Sequence, residues 1–118
     1  MKSMKGIYLI NGSRIYKVTD MSEVRIGRGT ENNHLDVDNP RVSRIHCIFY
    51  NGLDGLRIED NGSRNGTYVN GEPVKKVGLN HGDLITLAEV VNLKVDIREG
   101  LGGTIRGFLS DTWRRIRC

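Results

Sequence analysis

His46-Cys47-Ile48-Phe49-Tyr50-Asn51-Gly52-Leu53-Asp54-Gly55-Leu56-Arg57-Ile58-Glu59 reads as two short strands around a turn. The first is an apolar run closed by Asn51-Gly52; the second alternates apolar with charged side chains, as a strand with one face in water does. The same pattern repeats outward in both directions. Toward the N-terminus, Leu35-Asp36-Val37 is a brief strand and Val24-Arg25-Ile26 stops at Gly27-Arg28-Gly29. Ile7 to Ile10 and Arg14 to Val18 flank Asn11-Gly12, a hairpin signal because both central residues of a type I′ turn need positive φ. Toward the C-terminus, Thr67-Tyr68-Val69 ends at Asn70-Gly71, and Pro73 to Lys76, Leu84 to Leu87 and Leu93 to Ile97 follow. About ten or eleven short strands at close turn spacing predict an all-β fold, a sandwich of two antiparallel twisted sheets.

Composition agrees. The chain has 118 residues, 37% hydrophobic and 27% charged, with 15 glycines against 2 prolines, which suits one turn-rich globular domain rather than a Rossmann or TIM-barrel enzyme. No apolar run is long enough to span a bilayer, and Ile7 to Ile10 is too short for a signal peptide. Cys47 and Cys118 make no disulfide framework, so a reducing, cytoplasmic setting is expected. Residues 1–97 carry 13 basic and 12 acidic side chains, while residues 98–118 carry 5 and 2. The net charge of +4 is therefore mostly a property of the tail. With 6% aromatic residues the body offers few stacking platforms, and nucleic acid is not an expected partner.

The pattern predicts a domain over residues 1–98 and a Gly-rich joint with a basic amphipathic tail over 99–118. In the tail Ile105, Phe108, Leu109, Thr112, Trp113 and Ile116 recur at three- and four-residue steps, the spacing of a short C-terminal helix. Packing of that stripe on the sandwich or a neighbouring subunit is preferred to docking on a membrane surface. The oligomeric state is left open.

Signatures of catalysis are missing from the sequence. His34, His46 and His81 show no metal-ligand spacing, there is no Gly-x-Ser-x-Gly elbow or phosphate-binding Gly-x-x-x-x-Gly-Lys loop, and the Gly-x-Gly-x-x-Gly pattern begun at Gly27 fails at Asn32. Neither enzyme activity, metal nor cofactor is expected.

Three loops carry the remaining chemistry: Gly27-Arg28-Gly29, then Arg41 to His46, then Asp60 to Thr67. They offer guanidinium groups, hydroxyls, a side-chain amide and many backbone N–H groups, a set that suits an anionic ligand with several oxygens. Arg supplies a planar fork, Ser and Asn supply neutral hydrogen bonds, and Gly lets backbone approach closely. Taken singly, Arg28 could be a surface charge, Ser43 and Asn65-Gly66 turn residues, and His46 a buried scaffold residue holding a loop through its ring nitrogens. The Asn-Gly-Ser/Thr sequons at Asn11, Asn61 and Asn65 read as turns.

In order, Gly27-Arg28, Ser43-Arg44-Ile45-His46, Gly62 to Thr67 with Asn70-Gly71, and Leu79 to Ile85 resemble the forkhead-associated (FHA) family. The resemblance covers most of the chain and implies a two-sheet sandwich that binds phosphothreonine in partner proteins, with a Ser/Thr kinase in the background. It implies that Arg28, Ser43 and Arg44 meet the phosphate, while Arg64, standing where relatives often have a small hydroxyl residue, either adds to that attraction or points to solvent. Asn65 would grip the peptide backbone, with Gly27, His46, Gly66 and Asn70 as structural support. Thr30 to His34 and the loop after Gly66 would read the rest of the peptide. The chain would act as an adaptor, or be one module of a larger protein. The rival expectation is a phosphate-independent assembly domain whose basic tail docks a partner or membrane surface.

Overall fold

The computed structural model describes residues 3–101, with side chains described over 6–99. Eleven strands form two sheets: β1 (Ser3–Asn11), β2 (Arg14–Lys17), β3 (Glu23–Gly27), β4 (Leu35–Asp36), β5 (Cys47–Gly52), β6 (Gly55–Asp60), β7 (Thr67–Val69), β8 (Glu72–Pro73), β9 (Lys76–Leu79), β10 (Leu84–Leu87) and β11 (Val91–Leu101). One sheet runs β2-β1-β11-β10-β7-β8 and the other β4-β3-β5-β6-β9. The expected sandwich is what the chain forms, with one difference: β3 and β4 pair in parallel, Ile26 beside Leu35.

Alternation puts the core between the sheets. Leu9, Ile85, Leu87, Leu93 and Val95 project from one sheet, and Val24, Ile26, Cys47, Phe49 and Ile58 from the other, all fully buried. Burying a side chain such as Phe49 contributes about 2–3 kcal/mol.

Two details of the expected strands change. The β1–β2 turn is one residue later than its Asn-Gly signal: Asn11 pairs with Arg14, and of the loop residues Gly12 and Ser13 only Gly12 has positive φ, +59°. Pro73 to Lys76 is not one strand, because Pro73 ends β8 in one sheet and Lys76 begins β9 in the other. By contrast Asn70 and Gly71, at φ +52° and +87°, form the tight β7–β8 turn as expected. Strand β11 continues past residue 98 to Leu101, opposite Ser3, over the start of the expected joint. The amphipathic stretch that follows lies outside the described residues.

Candidate functional site

The β3–β4, β4–β5 and β6–β7 loops converge on one rim of the sandwich. Gly27 makes the convergence sterically possible. A Cβ there would sit 2.3 Å from the Arg44 carbonyl oxygen and 2.8 Å from that of Ser43, so only glycine lets the end of β3 run under the 43–44 backbone. The next residue exploits that closeness. Arg28 donates its backbone N–H to the Ser43 carbonyl at 3.0 Å and its Nε–H to the Val42 carbonyl at 2.9 Å. The guanidinium is thus pinned by one edge, and its two terminal nitrogens have no protein partner among the described residues.

His46 ties the second loop to the third from below. It is fully buried. Its Nδ1 lies 3.1 Å from the Ser43 N–H, and its Nε2 lies 2.7 Å from the Gly66 carbonyl. A donor faces Nδ1 and an acceptor faces Nε2, so the neutral ring carrying its proton on Nε2 satisfies both. Gly66 stands at φ +89° and donates to Ser63 Oγ.

Beneath that turn, Asp60 accepts from the Ser63 hydroxyl, the Ser63 N–H at 3.0 Å and the Thr67 hydroxyl at 2.7 Å. Burial works against the charge on Asp60, but these hydrogen bonds outweigh it together with a smaller contribution from His46, and the carboxyl sits below its ordinary range.

On the ligand side, the Arg64 N–H donates to Ser43 Oγ at 3.0 Å, which leaves the Ser43 hydroxyl hydrogen available. Asn65 donates its side-chain amide to the Arg41 carbonyl at 2.8 Å, joining the two loops and leaving its Oδ1 without a partner among the described residues. Arg28, Arg41, Ser43, Arg44 and Arg64 line a single open cavity of about 550 Å³, with Val42, Ile45 and Asn61 among its walls.

The structure therefore brings Arg28, Ser43, Arg44 and Arg64 together, braced by Gly27, His46 and Gly66, with Asn65 on the bond between the loops. Asn70 lies elsewhere: it closes the far end of β7, donating to Asp83 and accepting from the Leu84 N–H, and none of its bonds reaches the rim. Within Thr30 to His34, Asn32 lines the cavity. Asn33 instead donates to the carbonyls of Gly29 and Arg44, and His34 accepts from the Arg25 N–H.

Sequence reasoning missed two residues here. Asn33 was read only as a peptide contact. Arg41 received no role, although its Nε–H contacts the Ala88 carbonyl at 3.4 Å across 47 residues of sequence. Separately, the Cys47 thiol is held in its neutral form by burial, and the described residues contain no His/Cys/Asp/Glu group able to hold a metal ion. None of them forms a helix long and apolar enough to cross a membrane.

Comparison with known proteins bears on the family and the fold. A section of an ABC transporter ATP-binding/permease protein of Mycobacterium tuberculosis is 41% identical over 69 residues, 57% of this chain and 8% of that protein. The oxoglutarate dehydrogenase inhibitor of Corynebacterium jeikeium is 36% identical over 78 residues, 66% of this chain and 52% of the relative. The chain thus spans only part of the length of these relatives. A domain solved in a study of phosphothreonine-dependent FHA interactions superposes with a TM-score of 0.68 at 30% identity, covering 80% of this chain and 96% of that one. Mycobacterium tuberculosis EmbR, solved with a low-affinity phosphopeptide, gives 0.73 at 30% identity over 83% of this chain and 26% of that one. The FHA domain family model itself matches residues 24–88, more than half of the chain, and the chain belongs to the FHA family.

Proposed function

We propose that this domain binds phosphothreonine in partner proteins, without catalysis of its own, as an adaptor for a Ser/Thr kinase in the cytoplasm. One observation carries the reading: a guanidinium pinned at Nε by the Val42 carbonyl shares a cavity with a serine hydroxyl that still has a hydrogen to donate. A phosphothreonine brings close to two negative charges and three acceptor oxygens. Arg28 presents its terminal nitrogens, Ser43 its hydroxyl, and Arg44 a further charge from the adjacent position. The free Oδ1 of Asn65 accepts a backbone N–H of the peptide and so sets its direction. Because Arg28 and Ser43 are fixed before the ligand arrives, little order is lost on binding. Phosphopeptide-bound structures of related domains support the same reading.

The test is a fluorescence-polarisation titration with matched phosphothreonine, phosphoserine and unmodified peptides. Phosphothreonine peptides bind, and unmodified ones do not, since arginines would be desolvated without a counter-charge. A preference over phosphoserine of about fourfold follows from one buried methyl group at about 0.8 kcal/mol. Equal binding of modified and unmodified peptides would overturn the assignment in favour of a phosphate-independent assembly domain.

A further inference from the structure

Five Asn-Gly dipeptides stand in the chain, at Asn11, Asn51, Asn61, Asn65 and Asn70. The pair is chemically fragile. With no side chain on the second residue, the glycine nitrogen can close on the asparagine side chain unless the fold holds one of the two. Three of the five are held. Asn51 donates to the Thr19 carbonyl at 3.2 Å, and Gly52 is paired opposite Gly55 in the β5–β6 ladder. Asn65 is bonded to the Arg41 carbonyl, and the Gly66 N–H to Ser63 Oγ. Asn70 uses both ends of its amide, on Asp83 and on the Leu84 N–H.

Of the other two, Asn11 lies outside the rim cavity and Asn61 lines it, together with Arg28, Arg44 and Arg64. Asn61 and Gly62 are both exposed. The backbone is fixed on either side of them: the Asn61 N–H donates to the His46 carbonyl at 2.9 Å and the Ser63 N–H to Asp60 at 3.0 Å. The Gly62 N–H between them has no partner among the described residues, and a Cβ on Gly62 would meet nothing within 4 Å, so water reaches it freely. The Asn61 side chain has one bond, to the Ile45 carbonyl at 3.3 Å, beyond the usual range for such a bond.

We infer that Asn61-Gly62 is a self-modifying site whose conversion ends phosphopeptide binding. This rests on the phosphothreonine reading above. The Gly62 nitrogen attacks Cγ of Asn61 and gives up its proton. The side-chain nitrogen leaves as ammonia carrying that proton, and a cyclic imide remains. Water then opens either C–N bond of the ring, giving aspartate or isoaspartate with no change of oxidation state. The cavity arginines favour the step, because the negative charge that develops on the attacked carbonyl arises in a positive potential. The product puts a carboxylate into a cavity whose lining has none. It competes with phosphate for the guanidiniums, and isoaspartate also lengthens the main chain by a methylene just before Arg64 and Asn65. A bound phosphopeptide covers the loop, so an unoccupied domain ages faster than an occupied one.

The test ages the full chain in heavy-oxygen water at mildly alkaline pH, with and without a saturating phosphothreonine peptide. Peptide mapping by mass spectrometry follows each Asn-Gly, and polarisation follows affinity. Asn61 converts faster than Asn51, Asn65 and Asn70, the phosphopeptide slows Asn61 but not Asn11, and affinity falls in step with conversion at Asn61. The Asn61→Gln variant, in which closure needs a larger ring, keeps its own starting affinity through ageing. Asn61→Asp binds at least about tenfold more weakly than Asn61→Gln, with circular dichroism showing both folded. The proposal is overturned if Asn61 stays an amide while a free peptide of residues 58–64 converts. It is overturned equally if Asn61 converts without loss of affinity, or if Asn61→Gln loses affinity as fast as the parent. If fresh protein binds no phosphopeptide, the phosphothreonine reading fails and takes the effect on binding with it, whereas the mass map still decides the chemistry at Asn61.

Discussion

Arg25, Arg57 and Arg98 stand on strands, and each meets a carboxylate two residues away: Glu23 at 3.5 Å, Glu59 at 2.7 Å and Asp96 at 2.7 Å. Arg28, Arg41, Arg44 and Arg64 stand on the loop rim, and none of them has an ion-pair partner among the described residues. The difference follows from backbone geometry. A strand returns every second side chain to the same face, so a charge two residues along neutralises its neighbour within one strand. Loops have no such period. Their charges are placed by turns and hydrogen bonds, and at this rim those devices hold guanidiniums together without supplying acids. These three strand arginines are thus self-compensated surface, while the rim arginines keep their charge for something that comes from outside.

The comparison breaks most severely if the rim scaffold is removed. Gly27→Ala forces a methyl against the Arg44 carbonyl and should cost about 3 kcal/mol of unfolding free energy, with loss of phosphopeptide binding, as urea denaturation and polarisation would record. His46→Phe fills the same space but abandons the Ser43 N–H; a loss of about 2 kcal/mol is expected, read in the same way. Arg28→Ala leaves the fold intact, since the side chain is exposed, and weakens a phosphothreonine peptide at least about tenfold, or about 1.4 kcal/mol, by calorimetry.

A smaller effect sharpens the contrast through pH. The Asp60 carboxyl is lower in the folded chain than its ordinary value of 3.8. Its contribution is therefore complete above that value and is lost as pH falls through the depressed folded one. Urea midpoints should decline as pH falls below the ordinary value of 3.8, and the decline should be shallower in Asp60→Asn. The smallest effect belongs to the strands: Arg57→Ala should barely move the urea midpoint and leave phosphopeptide affinity unchanged, because its pair with Glu59 is solvent-screened at the surface. A strand arginine as important to binding as Arg28 would dissolve the distinction.

Local signals were legible where one short segment decides the outcome. Asn70-Gly71 turned where expected because both of its residues carry the positive φ that Asn and Gly tolerate. The same dipeptide at Asn11-Gly12 misled by one residue, since strand pairing, not the dipeptide, chose Gly12-Ser13 for the loop. Arg28, Ser43, Asn65 and His46 stood out only through the ordered resemblance to the FHA family, because each alone also reads as a surface charge, a turn residue or a scaffold residue.

By itself the sequence determined the alternation that separates core from surface, the turn-rich strand count, and a loop inventory fit for an anion. These depend on neighbours in the chain, so they are written locally. Tertiary structure alone decided that Pro73 and Lys76 belong to opposite sheets, that β4 runs parallel to β3, and that Arg41 sits over Ala88 from 47 residues away. It also decided that Asn33 braces the Arg44 backbone and that Asn70 does not reach the rim. Each of these depends on which distant backbone lies within hydrogen-bonding reach, and that is settled only when the two sheets close on their shared core.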